Sequence, residues 1–441
     1  MRLAWYLYQA AMASSLALAA PYLLVRRGSH YLETLPGRLG LRHGPELRGA
    51  LWIHAVSVGE VGVAATLARA LPEPLPLLVT TVTPTGQERA REIFADAGAG
   101  RPAAVAYLPF DLSIVVGPFL RRYAPAALVL VEGDYWPLVL HEAGRRGIPV
   151  AVVNGRVGER AFRRMARRPR LSRRLFFSDV RCFAVQSDED RRRLTLSGAP
   201  AERIHVTGNL KFDTRPPAPQ PELEDRVRRL AGGRPIFLAG STMAGEEEQV
   251  VDAFRRIGGG ERAFLVLAPR HPERWDAVAD LMRERGIAAV RRSSLAGDEG
   301  SGLPAPAEVL LLDSLGELAA LYGVADAAFI GGTLVPTGGH NPLEPAHFAV
   351  PVAVGPSMEN FHQIAGEFER AAAWQRVEDC RGLAAAWDAW LADPAAARAV
   401  GGRAKELLLA NRGALERTLE LLAPILRPAT ERPANPRTPR C

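Results

Sequence analysis

Cysteine is almost missing from this 441-residue chain. Cys182, Cys380 and Cys441 form no CxxC pair, which argues against a disulfide framework or a zinc knuckle and fits a reducing compartment. Lysine is scarcer still: Lys211 and Lys405 are the only two among 55 basic residues. Where arginine has replaced lysine this widely, retained Lys211 marks a place where a compact ammonium matters, while Lys405, in the helical run Ala404 to Leu409, reads as a plain surface residue. Walker A and HExxH motifs are absent, and no GxGxxG follows the first apolar run of either half, so a dinucleotide reading is weak. What remains is a globular chain, 48% hydrophobic, too long for one core and expected to form two domains.

The net charge of +7 comes almost wholly from arginine, a bias that reflects a GC-rich genome before it reflects a partner. Arg156, Arg160, Arg163, Arg164, Arg167, Arg168, Arg170, Arg173 and Arg174 nevertheless crowd one stretch, interleaved with Phe162, Leu171 and Phe176. Such a run suits nucleic acid, an anionic membrane surface, or a plain solvated face. The N-terminus favours the membrane. Leu3 to Val25 carries no charge, includes Trp5, Tyr6, Tyr8 and Tyr22, and precedes Arg26 and Arg27. That pattern predicts an anchor helix, with the body of the protein at the cytoplasmic face of the inner membrane.

Two series of apolar strands alternating with helices follow, as in parallel sheets covered on both faces. The expected layout is an anchor at 1–27, an α/β domain at 28–213, a proline-rich linker at 214–222, a second α/β domain at 223–427 and a disordered tail at 428–441. Two doubly wound domains of this kind would place a cleft between the carboxyl ends of their sheets.

Candidate chemistry sits where strands end. The stretch Gly331–Ala346 packs glycines, a Pro-Thr turn and Asn341-Pro342 behind an apolar run, with Glu344 just beyond. Asn341 suits an N-cap and Pro342 a first helical position, leaving N–H groups for a phosphate and Glu344 for a sugar diol. Near the first strand, Glu60 in His54-Ala55-Val56-Ser57-Val58-Gly59-Glu60 is equally readable as a general base or as a helix-start acid. Ser187-Asp188-Glu189-Asp190 reads as a helix cap, not as a metal-binding DxD. His54 and His340 read as hydrogen-bonded scaffold.

Four segments occur in order: His54–Glu60, Gly208–Asp213, Ala268–Arg274 and Gly331–Ala346. On these the chain resembles the 3-deoxy-D-manno-octulosonic acid (Kdo) transferases of lipopolysaccharide assembly, from the N-terminal segment to about Leu426. The resemblance implies an inverting GT-B glycosyltransferase with an interdomain cleft. Its donor would be CMP-Kdo, with no cofactor, and its acceptor the lipid A precursor (lipid IVA) at an anionic membrane surface; nucleic acid is no partner. It further implies Glu60 as base, Glu132 and Lys211 in transition-state stabilisation, and Pro269, Arg270, Leu315, Gly316, Glu317, Asn341, Pro342, Leu343 and Glu344 at CMP. Either Arg270 or Lys211 could face the sugar's carboxylate.

Three departures bear on specificity. Glu132-Gly133-Asp134-Tyr135-Trp136-Pro137-Leu138 replaces the usual E-T-E-L-W-P-N, Met243 follows Gly240-Ser241-Thr242 where histidine is usual, and Val157–Ala161 replaces a serine-rich L-S-E-R-S. A GT-B enzyme using another nucleotide sugar, such as a UDP-hexosamine, is the alternative reading.

Overall fold

Short apolar runs without alternation can be buried on both faces only in parallel sheets, and the chain forms two of them. A computed structural model describes residues 2–41, 45–71, 75–94, 102–214, 216–295 and 307–430. Contacts divide the chain into two units: residues 1–213 with 412–441, and residues 214–411. Residues 431–441 of the expected tail lie outside the described residues.

In the first unit the strands are β1 (Leu51–His54), β2 (Leu77–Thr81), β3 (Ala103–Tyr107), β4 (Ala127–Val131), β5 (Val150–Gly155), β6 (Val180–Val185) and β7 (Ile204–Val206). Their order is β3-β2-β1-β4-β5-β6-β7, all parallel. The order reverses between β1 and β4, so the loops after these strands diverge and leave a crevice beyond their carboxyl ends. One face packs Trp52, Leu128, Phe119 and Phe183; the other packs Leu51, Ile53 and Val129 against Leu422, Ile425 and Leu426. Those three leucine and isoleucine residues belong to the helix Ala414–Thr430. The helix Ala414–Thr430 therefore covers the first sheet, whereas the layout expected from sequence put its residues up to 427 in the second domain. Asp213 accepts hydrogen bonds from the N–H groups of Gly413 (2.7 Å) and Leu415 (2.5 Å), fixing the return point.

In the second unit the strands are β8 (Ile236–Thr242), β9 (Phe264–Pro269), β10 (Ala289–Arg291), β11 (Val309–Leu311), β12 (Ala327–Ile330), β13 (Val352–Val354) and β14 (Gln375–Arg376). The order is β10-β11-β9-β8-β12-β13-β14, again parallel, with the reversal between β8 and β12. Phe237, Phe254, Phe329 and Trp387 fill its core.

The expected membrane anchor is overturned. The N-terminal helix runs Arg2–Arg38, but among the described residues no helix is long and apolar enough to cross a membrane. Gln9, Ser14, Ser15 and Pro21 dilute its apolar run. Its half-buried positions 5, 8, 9, 12 and 16 fall on one helical face. Trp5 stacks on His141 with ring centroids 4.3 Å apart, the Tyr8 hydroxyl donates to Asp111 Oδ2 at 2.5 Å, and the Ser113 hydroxyl and N–H donate to Gln9 Oε1. Trp5 and Tyr8, two of the residues that suggested a lipid contact, have protein partners, whereas Tyr6 is exposed. The inner-membrane location inferred from this segment loses its basis.

Candidate functional site

The loop after β1 turns directly into the helix Val58–Ala70, with Ser57 as its N-cap. Glu60, in the first turn, reaches back: its Oε2 accepts the Val56 N–H at 2.9 Å and its Oε1 accepts the Ser57 hydroxyl at 3.2 Å. Glu60 lies in the first turn and braces the two residues that lead into it, as the helix-start reading expects. The base reading is supported as well. Burial pushes the Glu60 carboxyl up to about 7; the Val56 N–H opposes this, and the neighbouring carboxylates of Glu132 and Asp134 add to it.

Glu132 occupies the end of β4, across the reversal from Glu60. Its backbone is left-handed (φ 60°), a strained conformation for glutamate that turns the side chain into a buried position, 7% exposed. Lys211 Nζ lies 2.8 Å from one carboxylate oxygen and Arg156 Nε 2.6 Å from the other. Burial alone would raise this carboxyl; the Lys211 and Arg156 charges outweigh it and hold it below the usual range. Asn154, also left-handed at φ 52°, accepts the Leu210 N–H at 2.9 Å and thereby sets the loop that carries Lys211. A Cβ added to Gly59 would stand 4.0 Å from Lys211 Nζ. Glu60, Glu132 and Lys211, predicted from separate segments, thus converge. Asn154 was missed, and Arg156 was read only as part of an arginine run. The signal for both was their place at the end of a buried strand next in the sheet to β4, Asn154 within β5 and Arg156 just past it.

His54 behaves as scaffold on one side: its Nδ1 bonds Thr80 Oγ1 at 2.9 Å. Its Nε2 is buried without a hydrogen bond, 3.9 Å from Asp134 Oδ2.

In the second unit the candidate residues follow β9, β11 and β12. The Arg270 side chain is exposed and forms no ion pair among the described residues; its backbone N–H bonds Thr242 O at 2.9 Å. Leu315 is 68% exposed, Gly316 is left-handed, and Glu317 pairs with Arg292 at 2.8 Å. Asn341 Oδ1 accepts the Leu343 N–H at 3.1 Å while its amide donates to Glu344 at 3.2 Å. The helix here is a single turn, Leu343–Ala346, with Pro342 at its cap position. Burial raises the Glu344 carboxyl, opposed by Asn341 and Arg270. Burial, then Arg270 and His271, push His340 down to about 4, so Arg270 shares one electrostatic neighbourhood with Glu344 and His340. Gly331 is required by close approach, since a Cβ there would meet Ser241 O at 2.2 Å.

Earlier in the same segment, the N–H groups of Gly332, Thr333 and Leu334 are all accepted by the buried Glu246 carboxylate.

Two doubly wound parallel units define a GT-B-like glycosyltransferase architecture. Solved structures of the same fold include a putative UDP-N-acetylglucosamine 2-epimerase from Listeria monocytogenes (TM-score 0.53, 16% identity, 88% of this chain and 99% of that one). A glycosyltransferase from Rickettsia africae is similar (TM-score 0.53, 13% identity, 86% and 99%). A family model described as 3-Deoxy-D-manno-octulosonic-acid transferase (kdotransferase) matches residues 33–214. The 3-deoxy-D-manno-octulosonic acid transferase of Haemophilus influenzae is 34% identical over 92% of this chain and 94% of its own length. That of Bordetella pertussis is 36% identical over 88% and 90%. The chain belongs to the 3-deoxy-D-manno-octulosonic acid transferase family.

Proposed function

We propose that this enzyme transfers Kdo from CMP-Kdo to lipid IVA, with Glu60 as the general base of an inverting displacement. Glu60 takes the proton of the acceptor hydroxyl, and that oxygen bonds to the anomeric carbon of Kdo. The bond from that carbon to the CMP phosphate oxygen breaks, and its electron pair leaves with CMP. The observation that carries the reading is the position of Glu60: a carboxyl held near 7, at the reversal of a parallel sheet, beside the Glu132–Lys211 pair. A base of that strength accepts a proton from a hydroxyl better than an ordinary carboxylate does, and half of it is ionised near neutrality.

Lys211 and Arg156 spend much of their charge on Glu132, so this trio frames the base and fixes the local potential. Arg270, without an ion-pair partner among the described residues, is the cation better suited to the anionic donor. Pro269, Leu315, Gly316, Glu317, Asn341, Pro342, Leu343 and Glu344 complete the donor side in this reading, with Glu344 turned to the ribose.

Mass spectrometry of products from purified enzyme, CMP-Kdo and lipid IVA tests the reaction, with Glu60→Gln alongside. Kdo-bearing product from the parent enzyme and none from the variant is the expected result. Product at comparable rates from both removes Glu60 as base. No product from CMP-Kdo, with binding of UDP in place of CMP in a calorimetric titration, moves the enzyme to another nucleotide sugar.

A further inference from the structure

Glu246 and Glu247 open the helix that follows β8, and both side chains are fully buried. Consecutive buried carboxylates are costly unless their partners are specific. These two reach in different directions. Glu246 Oε1 accepts the N–H groups of Thr333 (2.9 Å) and Leu334 (2.8 Å), and Oε2 accepts those of Gly332 (2.6 Å) and Met243 (2.9 Å). Glu247 accepts from the Arg274 guanidinium at 2.9 Å and from the Thr242 hydroxyl at 3.4 Å. One carboxylate thus holds the start of the segment leading to Asn341 and Glu344. Its neighbour holds the end of the turn that begins at Arg270.

We propose that Glu246 is a positioning residue for the donor: it serves as an internal anion that sets the turn at 332–334 before any nucleotide arrives. The inference rests on the reading of Asn341 and Glu344 as donor contacts. A turn of successive N–H groups attracts an anion. Here the protein supplies the anion itself, and the turn is a brace for the segment beyond it and not a phosphate seat. From that turn the chain is pinned again: Gly339 N–H to Gly332 O at 2.8 Å, and the Thr337 hydroxyl to the same oxygen at 3.0 Å. The position of Gly332 therefore passes directly to residues 337–339, immediately before Asn341. Ordering this segment in advance removes a cost that nucleotide binding would otherwise bear.

The test uses full-length enzyme with CMP and CMP-Kdo. Glu246→Gln presents an amide NH2 to one pair of N–H donors and releases them. Gly332→Ala disturbs the same turn without touching the buried carboxylate, since its φ is +70° and a Cβ would meet Thr337 Oγ1 at 2.9 Å. Glu344→Ala is the control for the donor site. Each variant is measured for KM and kcat with CMP-Kdo and for CMP affinity by calorimetry. The expected result is a KM and a CMP Kd raised about tenfold or more in both turn variants, with kcat at saturating donor within about threefold. If Glu246→Gln does not fold, Gly332→Ala alone carries the comparison. Unchanged KM and Kd in the turn variants, while Glu344→Ala raises them, overturns the role of Glu246 and leaves the donor site standing. Normal CMP binding by Glu344→Ala overturns the donor assignment itself. A fall in kcat without a change in KM also defeats the proposal.

Discussion

The raised carboxyl of Glu60 leads to a pH profile that an ordinary glutamate would not give. With its pKa near 7, the ionised fraction is about nine-tenths at pH 8, one half at pH 7 and one-tenth at pH 6. A glutamate left at 4.5 would be almost fully ionised over that whole interval. The kcat/KM for lipid IVA should therefore fall about tenfold from its plateau to pH 6, with unit slope below pH 7. Glu132 and Asp134 both contribute to the rise, so Asp134→Asn should shift the profile toward lower pH. The same proton affects stability, and the sign follows from linkage. Folded Glu60 holds its proton to higher pH than the unfolded chain does. Its favourable contribution is complete below 4.5 and is lost as pH rises through 7. The gap corresponds to a ceiling of about 3 kcal/mol, at about 1.4 kcal/mol per unit. Glu60→Gln escapes that loss, so its advantage over the parent in urea unfolding should grow between pH 5 and pH 8. Initial rates across pH 5.5–8.5, paired with urea midpoints, provide the assay. A parent rate flat from pH 6 to 8 would refute the reasoning, as would a Glu60→Gln rate above about a tenth of the parent's.

Lys211→Met leaves buried Glu132 with Arg156 as its remaining ionic partner, and should cost about 2 kcal/mol at neutral pH by urea unfolding, less than the loss of an isolated buried pair. Because Glu132 is held below its usual range in the folded state, its contribution is present above about 4.5 and fades as pH falls, so the deficit should narrow in acid. Tyr8→Phe removes the hydroxyl bond to Asp111 and should cost about 1 kcal/mol, read as faster limited proteolysis of the N-terminal helix; unchanged cleavage would mean that the helix is held elsewhere. Arg270→Ala should weaken CMP binding by at least about tenfold in calorimetry, as expected for a charge-assisted contact to phosphate. His340, held near 4, should stay neutral from pH 6 to 8, and an NMR titration showing it protonate at pH 6 would contradict its buried setting.

Much of the architecture was legible because burial on both faces leaves a plain mark: runs such as Leu51–His54 and Ala127–Val131 have no polar face to turn outward. Two candidates were legible for a related reason: Glu60 and the Gly331 segment follow such runs, where a parallel sheet exposes its chemistry, whereas Glu132, Lys211 and Arg270 were pointed to by the family resemblance. The rest depends on contacts remote in the chain. An uncharged helix looks the same whether it faces lipid or protein, and Tyr8 and Gln9 meet partners more than a hundred residues away. Glu246-Glu247 reads as an ordinary acidic helix start, and only the fold reveals that one of the pair reaches residues 332–334. Helical periodicity shows that Ala414–Thr430 has an apolar face but not which sheet that face covers.

That last helix bears on the order in which the protein can mature. A ribosome releases the strands of the first sheet early, yet the leucines and isoleucine that close one of its faces emerge only after the second unit. The interrupting segment, Thr214–Asn411, is complete before then and can fold while its host waits half-covered. A chain stopped just after Asn411 should carry a finished second unit and a sticky, chaperone-dependent remainder.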